Sequence, residues 1–340
     1  MFKSNFWIKL KSWEYWPWYI IYIPIFVYWL WCGIKARSIL YISAVNPGFD
    51  YGGIIGASKM KILQKIPEKY LPLSLLADSS TPLEKIMLEL QQNNLRFPVI
   101  VKPDIGERGY KVELIQNETA LKKYLSNVFG NVIIQEYIDQ PIELGVFYYR
   151  IPEESQGVIS SIVEKGFLKV AGDGESTIEQ LMLKNERARL QVKRLKASSA
   201  VDLIRVPERD EVVRLEPIGN HVRGTTFLDG NHLISKELIR LFDNISEEIE
   251  GYYYGRFDLR CENMDSLYRG EFKILELNGA ASEPAHIYSP GFSLREGYRV
   301  LFYHWRTLYK ISKTNHARGI PYMTIRDAIK ALRKSRFRRE

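Results

Sequence analysis

Two stretches in the last third of this 340-residue chain constrain its fold more than any other feature. The stretches YYYGRFDLRCE, over residues 252–262, and EFKILELN, over residues 271–278, both carry alternating polar and apolar side chains. This alternation is typical of β-strands, because successive side chains point to opposite faces of a sheet. We therefore predict two paired strands. Arg256 and Asp258 share a face on the first, and Glu276 and Asn278 share a face on the second.

These four polar side chains suggest a specific chemistry. Asp258, Glu276 and Asn278 offer three oxygen ligands, which suits Mg²⁺ because this ion prefers a few protein oxygens together with water and phosphate. Arg256 would face the same site, where a guanidinium can hold a carboxylate or a developing phosphate charge. The alternative is a purely structural face on which Arg256 and Glu276 form a cross-strand salt bridge.

A second stretch, FPVIVKPDIGERGYKV at residues 97–112, predicts a phosphate-binding loop. A short buried strand delivers Lys102, and Gly106 and Gly109 follow in a loop. Glycines allow backbone N–H groups to approach phosphate oxygens closely, and a lysine adds a point charge. The stretch lacks the GxxxxGK[ST] pattern of a P-loop. An ordinary strand–turn–strand unit is the structural alternative.

Together and in this order, the two stretches resemble the ATP-grasp superfamily and, within it, the D-alanine–D-alanine ligases, over roughly residues 58–292. The resemblance implies an α+β fold in which two α+β subdomains clasp ATP, with ATP and Mg²⁺ (or Mn²⁺) as cofactors. Its most specific element is the GRxD…ExN signature. In that signature Asp258, Glu276 and Asn278 hold the metal, and Arg256 steadies an acyl phosphate.

The resemblance also implies a set of nucleotide-binding residues. Lys59 resembles the first nucleotide-binding lysine, and Lys102 the second, with residues 104–110 as the flexible loop over the phosphates. In that loop Arg108 stands where the ligases have a serine-rich run. The implied adenine hinge consists of Gln135, Glu136, Tyr137 and Ile138, and Glu143 occupies the position of a ribose-binding acid.

Another segment is similar to cyanophycin synthetase-type ATP-grasp ligases, namely Gly172-Asp173-Gly174 followed by Ser176-Thr177-Ile178. An insert follows at residues 175–231, and its start predicts one long helix, with Ser176 as the cap and Glu179 in a capping box. Near the end of the insert, His221 and Arg223 are candidates to contact the acyl acceptor or the γ-phosphate, and Lys165 is a further phosphate-contact candidate. A hydrogen-bonded surface histidine is the alternative for His221.

The chain departs from the ligases at its start, because only about twenty residues separate an aromatic segment from Lys59. The preceding domain that supplies substrate residues in the ligases is reduced, so D-alanine specificity does not carry over. The loop NPGFDYGG, with Asn46, Asp50, Gly52 and Gly53, is a candidate to replace part of it. The predicted divisions are 1–40 (aromatic segment), 41–95 (reduced N-terminal region), 96–165 (nucleotide-binding subdomain), 166–292 (C-terminal subdomain with the 175–231 insert) and 293–340 (basic helical tail).

The aromatic segment contains 20 uncharged residues between Glu14 and Lys35, rich in tryptophan and tyrosine. Two hypotheses remain open for it: contact with a membrane, in or on the bilayer, or packing as an apolar hairpin against the protein's own core. A cleaved signal peptide is disfavoured because no small-residue cleavage site follows. Charge supports membrane contact, since residues 1–40 carry a net +4 and residues 291–340 a net +10 within a total of +8.

Composition excludes several other classes. The charge is concentrated at the two ends, and the middle of the chain is mildly acidic, so a nucleic-acid partner is not expected. Cys32 and Cys261 are the two cysteines, too few for structural zinc or a disulfide framework. A reducing, cytoplasmic location fits best, at the inner face of a membrane if the ends bind anionic lipid.

These observations lead to one main functional hypothesis and two alternatives. The resemblance implies an ADP-forming ligase that joins a small-molecule carboxylate to an amine through an acyl phosphate. The first alternative is a kinase-like ATP-grasp phosphotransferase that stops at a phosphorylated product. The second is a non-catalytic, membrane-associated nucleotide-binding protein.

Overall fold

The computed structural model describes residues 5–106, 109–198 and 201–336. The chain begins with three helices, α1 (Asn5–Lys11), α2 (Trp18–Ile21) and α3 (Ile23–Ala36), and a short α4 (Lys59–Leu63) follows after two single 3-10 turns. Pro24 lies in the first turn of α3, where a missing N–H costs nothing, so it starts this helix instead of kinking it.

A four-stranded antiparallel sheet follows, with helices packed on it. Its strands are β1 (Ser74–Asp78), β2 (Val99–Pro103), β3 (Glu113–Ile115) and β4 (Asn131–Glu136), in the order β1-β4-β2-β3. Helices α5 (Leu83–Gln92) and α6 (Glu118–Leu125) bury Ile86, Leu90 and Leu121 against it. This sheet spans residues 74–136, whereas the predicted nucleotide-binding subdomain spans 96–165.

The larger sheet has five antiparallel strands in the order β11-β10-β5-β6-β9. They are β5 (Ile142–Tyr149), β6 (Val158–Gly166), β9 (Thr226–Asp229), β10 (Tyr254–Cys261) and β11 (Phe272–Asn278). Helix α10 (Lys236–Glu248) packs Leu238, Phe242 and Ile245 into the core beneath it, and α11 (Met264–Tyr268) joins β10 to β11. By hydrogen bonding, residues 142–166 therefore belong to this second sheet, because β5 pairs with β10 along its whole length.

Strand β7 (Lys169–Ala171), which precedes the insert, pairs with β8 (Val212–Arg214) within it, and three short helices lie between the two strands. The prediction of one long helix is wrong: the chain forms α7 (Ile178–Lys184), α8 (Glu186–Arg189) and α9 (Val192–Ser198). Asn185 breaks the run because its backbone is extended and its side chain caps α8. The cap of α7 is Thr177, which forms a capping box with Gln180, whereas the Ser176 hydroxyl bonds Asp173.

The C-terminal region contains α12 (Leu294–Ala317) and α13 (Ile325–Arg336). Helix α12 packs against the inner side of α3, where Ile21 and Ile25 join Ile287 and Leu301 in one apolar cluster. The hypothesis that the aromatic segment packs on the protein's own core therefore holds for one side of α2 and α3. In the described part of the chain, no helix is both long enough and apolar enough to cross a bilayer.

The NPGFDYGG loop is fixed in place by Asn46, which is fully buried. Its side-chain oxygen accepts from the backbone N–H groups of Tyr253 and Tyr254, at 2.9 and 3.0 Å, and its amide donates to the Tyr254 carbonyl at 2.8 Å. This one side chain thus replaces backbone pairing at the start of β10, the strand that carries Arg256 and Asp258.

We expect Asn46→Ala to lower the free energy of unfolding by about 3 kcal/mol, because it leaves buried backbone groups without partners. Urea unfolding followed by circular dichroism measures the change. The control is Asn93→Ala, at an exposed asparagine that donates to the Glu89 carbonyl, with an expected loss within about 0.5 kcal/mol. Equal losses in the two variants would contradict the role assigned to Asn46.

Candidate active site

A cavity of about 750 Å³ lies between the two large sheets. Its walls include Lys102 from β2, Gln135 from β4, Lys165 from β6, and the polar face of β10 and β11. Glu14, Trp16 and Ile21 from the aromatic segment line it as well. A cavity of this size is within the range of small-molecule sites.

Lys102 reaches the cavity from the middle of the four-stranded sheet and bridges to the five-stranded one. Its Nζ donates to Gln135 Oε1 at 3.0 Å and to the Leu275 carbonyl at 3.1 Å. Burial lowers the pKa of Lys102 to about 8, and the neighbouring Glu276 opposes that shift. Lys102 is therefore a buried cation that a bound anion would stabilise.

Lys59 approaches the same region from the start of α4. Its Nζ bonds the Gly106 carbonyl and lies 3.7 Å from Glu276 Oε1. The start of α4 is held by Asp104, whose carboxylate accepts from the Ser58 hydroxyl at 2.8 Å and from the Met60 N–H at 3.0 Å. The predicted first lysine and the loop after β2 are thereby brought together.

Arg256 and Asp258 lie side by side on β10, as the alternation predicts. The Arg256 guanidinium makes two parallel 3.0 Å bonds to the Asp258 carboxylate, and Asn278 Nδ2 donates to Asp258 Oδ2 at 2.9 Å. Burial raises the pKa of Asp258, but the charges of Arg256 and Lys165 outweigh it and lower the pKa to about 2. Gly145 makes room for this pair, because a Cβ there would come 3.1 Å from Asp258 Oδ1.

The metal-ligand candidates meet across the paired strands. Arg256 is opposite Asn278 and Asp258 is opposite Glu276 in the β10–β11 register, so the prediction of paired strands is confirmed. The cross-strand bridge between Arg256 and Glu276, which was the structural alternative, is not the arrangement found, since the bonds of Arg256 go to Asp258 and to the Glu283 carbonyl. The side chain of Glu276 stays 32% exposed towards the cavity.

Glu143 and Lys165 extend this charged cluster into β5 and β6. Lys165 Nζ is 2.9 Å from Glu143 Oε1 and 3.3 Å from Asp258 Oδ1. Burial raises the pKa of Glu143, but Lys165 and Arg260 together lower it overall. Both carboxylate oxygens of the predicted ribose-binding acid therefore accept bonds from cations within the protein.

Arg260 was not singled out from the sequence, although it continues the alternation of Arg256 and Asp258. Its buried guanidinium donates to Glu143 at 2.9 Å, to the Ile138 carbonyl at 2.6 Å and to the Pro217 carbonyl at 3.0 Å. It thus fixes the end of the predicted hinge and the insert to β10. The alternation was the signal that could have found it.

The predicted hinge residues Gln135, Glu136, Tyr137 and Ile138 all line the cavity. The Gln135 side chain bonds Lys102 and Ser74, and Glu136 accepts from the Leu73 N–H at 3.0 Å. The Tyr137 ring lies 5.6 Å from the Arg260 guanidinium. Gln135 and Glu136 belong to β4, so this part of the cavity wall comes from the four-stranded sheet.

The insert contributes His221 to the cavity wall, but Arg223 is directed elsewhere. His221 Nε2 is 3.0 Å from Glu14 Oε2, and its ring packs beside Phe227 and Tyr288. Arg223 donates to the Gly109 and Val112 carbonyls, so it holds the loop after β2. Arg108 lies outside the described residues.

The sequence did not indicate that Glu14 belongs to the site, because its partners Arg187 and His221 lie about 170–210 residues away in the sequence. Burial raises the pKa of Glu14, but the bond to His221 and the charge of Arg187 lower it overall. The Arg187 guanidinium is 2.6 Å from Glu14 Oε2. The aromatic segment is thereby attached to the insert at the cavity wall.

Comparison with known families agrees with this geometry. Residues 57–213 match the model of the RimK-like ATP-grasp domain. The resemblance to the ATP-grasp superfamily is confirmed, and the chain has the α+β fold expected of it. No curated protein matches the sequence significantly.

Several solved structures are similar in fold. A D-alanine–D-alanine ligase from Bacillus anthracis complexed with ATP is 14% identical, with a TM-score of 0.42, over 79% of this chain and 69% of that one. The VanG D-Ala:D-Ser ligase from Enterococcus faecalis is 14% identical, with a TM-score of 0.42, over 74% and 62%. A bifunctional glutathione synthetase from Pasteurella multocida is 17% identical, with a TM-score of 0.37, over 73% and 36%. The chain thus spans about a third of the length of the last protein.

The pKa of Lys102 offers a test of whether this lysine contacts a nucleotide. Below pH 8 the lysine is charged and can bind phosphate, and above pH 8 it loses its proton in the free protein. We expect the affinity for ATP to fall as the pH rises above 8, by up to about tenfold per pH unit. Titration calorimetry from pH 7 to pH 9.5 measures it.

The control for this test is Lys102→Arg, because a guanidinium stays charged over the whole range. Its affinity for ATP is expected to be nearly independent of pH. If wild type and Lys102→Arg gave parallel profiles, Lys102 would not be the group that contacts the nucleotide.

Proposed function

We propose that this protein is an ADP-forming ligase that joins a carboxylate to an amine through an acyl phosphate. The observation that carries the proposal is the meeting of Arg256, Asp258, Glu276 and Asn278 with Lys102 in one cavity. The family match over residues 57–213 supports ATP as the phosphoryl donor.

Three cationic side chains of the cavity would bind the phosphates of ATP and the group that is transferred. Lys102 and Lys59 both line the cavity, as does Glu276, and both lysines are candidates to contact ATP phosphates. Arg256 is held rigidly by Asp258 and by the Glu283 carbonyl, so it is oriented before any substrate binds. Oriented charges in a buried site stabilise a transition state strongly, because they need no rearrangement during the reaction.

Asp258, Glu276 and Asn278 fit a magnesium ion, since they combine two carboxylates with an amide on adjacent strands. Among the described residues, no group of three or more His, Cys, Asp or Glu side chains is suited to a metal. The proposed site has two such ligands, Asp258 and Glu276, and Asn278 would be the third protein ligand. Magnesium bound there would neutralise charge on the phosphate oxygens of ATP. Before that, Asp258 must give up part of its contact with Arg256, Lys165 or Asn278.

The proposed reaction needs no nucleophilic side chain. A carboxylate oxygen of the first substrate forms a bond to the γ-phosphorus as the bond to the ADP oxygen breaks. The amine nitrogen of the second substrate then attacks the acyl carbon, phosphate leaves, and the nitrogen loses a proton. Arg256 would stabilise the charge at the transferring group in both steps, whereas Lys165 is held between Glu143 and Asp258 and would position the latter.

We infer that the aromatic segment supplies one wall of the substrate-binding part of the cavity. Trp16, Ile21 and Tyr288 line the cavity together with Glu14 and Glu283. The Glu283 carboxylate accepts from the hydroxyls of Tyr22 and Tyr288. This combination of apolar surface and carboxylates suits a substrate with an apolar part and an amine. His221 also lines the cavity and would contact this substrate.

The metal ligands provide the most direct mutational test. We expect Glu276→Gln to lower the kcat of ADP release by about 10²-fold or more, because it removes a charge that the metal requires. The assay screens amino acids, peptides and polyamines as substrates. Glu276 is preferred to Asp258 for this test because it is partly exposed, so the fold should survive the change.

A matched control lies in the same hairpin. Glu271 precedes β11 and is 59% exposed, paired with Arg269. Glu271→Gln should leave kcat unchanged within about twofold. Full activity of Glu276→Gln with any substrate pair would exclude the site assignment.

Hydroxylamine distinguishes the ligase from a kinase-like enzyme. An acyl phosphate reacts with hydroxylamine to give a hydroxamate, whereas a phosphate ester does not. With the carboxylate substrate, ATP and no amine, we expect a hydroxamate equivalent in amount to the ADP released. ADP release without hydroxamate would favour the phosphotransferase.

A further inference from the structure

The side of α2 and α3 that faces away from the core is a continuous apolar surface. We define the outer face as Trp18, Tyr19, Ile23, Val27, Trp31 and Ile34, which are 48–77% exposed. Ile23, Val27, Trp31 and Ile34 recur at helical spacing, so they form one stripe along α3. The opposite side of the same helices buries Ile21, Ile25 and Cys32. Large exposed apolar patches of this kind mark interaction sites.

The exposed charged residues that flank the outer face along the chain are positive. Lys9 before it and Lys35 and Arg37 after it are all exposed. Glu14, the single acid among the first 40 residues, is turned into the cavity wall, where Arg187 and His221 pair with it. An apolar stripe with cations at its ends is complementary to anionic lipid headgroups above acyl chains.

The residue types on the outer face also favour a lipid interface. Trp18, Tyr19 and Trp31 carry a ring that prefers apolar surroundings and an N–H or O–H that prefers water, as in the aromatic belts of membrane proteins. Lys35 Nζ lies 3.5 Å over the Trp31 ring, so its charge is held beside the apolar stripe. Two such faces in a symmetric dimer would bring like charges together, which disfavours a second copy as the partner.

The helices are too short to enter the bilayer end-on. Helix α3 has 14 residues and α2 has four. At 1.5 Å per residue α3 spans about 21 Å, less than the roughly 30 Å of a hydrocarbon core. Their inner sides remain packed on α12 and its neighbours. Only a position parallel to the membrane plane leaves this packing intact.

We propose that the outer face binds the surface of an anionic lipid bilayer, with α2 and α3 lying parallel to the membrane at headgroup depth. Trp18 belongs to the outer face and also lines the cavity. Membrane binding therefore brings the cavity wall formed by the aromatic segment close to the lipid surface. The proposal is independent of the reaction proposed above.

The test is sedimentation of the full-length protein with vesicles of neutral phosphatidylcholine, alone or with about 30% anionic phosphatidylserine. We expect binding to the anionic vesicles, at least about tenfold weaker binding to the neutral ones, and weakening by salt. Val27→Asp, which places a charge in the centre of the outer face, should weaken binding by about tenfold or more. Its thermal midpoint should stay at the wild-type value, because Val27 is exposed.

The matched control is Phe129→Asp, which replaces an exposed apolar residue (70% exposed) outside the aromatic segment. This variant should bind vesicles like the wild type. Absence of binding by the wild type, or equal binding by Val27→Asp, would overturn the proposal. A dimer in light scattering that Val27→Asp dissociates, without vesicle binding, would also overturn it and identify a second copy as the partner.

Discussion

The buried carboxylate of Asp258 is the element on which the site depends. Arg256, Lys165 and Asn278 surround it, and Lys165 connects it to Glu143, which Arg260 holds from the other side. Removing charges from water costs several kcal/mol per ion, and only close pairing offsets that cost. The pairing requires β5, β6 and β10 to be adjacent, so the charged cluster and the sheet order specify each other.

Two contacts attach the N-terminal region to the site. Asn46 fixes a short loop against the start of β10, and Glu14 fixes the aromatic segment against the insert. Residues of the aromatic segment thereby form part of the cavity wall. The same segment presents an apolar outer face, so one element joins the cavity wall to the proposed lipid-binding surface.

The local sequence patterns predicted the residues of the site better than they predicted the contacts that hold these residues in place. The alternation around Arg256 and Asp258 specified a strand face, and the β10–β11 register brought the expected ligands together. The alternation could have identified Arg260, but its pairing with Glu143 depends on β5 lying beside β10, which no local pattern shows. Glu14 and Arg187 are 173 residues apart in sequence, so their contact has no local signal either. The break at Asn185 was missed because helical periodicity continues across it, while a side-chain cap decides the backbone.

We propose that the cluster around Asp258 and the cation of Lys102 form one nucleotide site. A crystal structure with magnesium and a non-hydrolysable ATP analogue tests it most directly. We expect adenine beside residues 135–138 and the terminal phosphates between Lys102 and the Asp258–Asn278 pair. A nucleotide bound outside the cavity, or one whose phosphates lie away from Asp258, would contradict it.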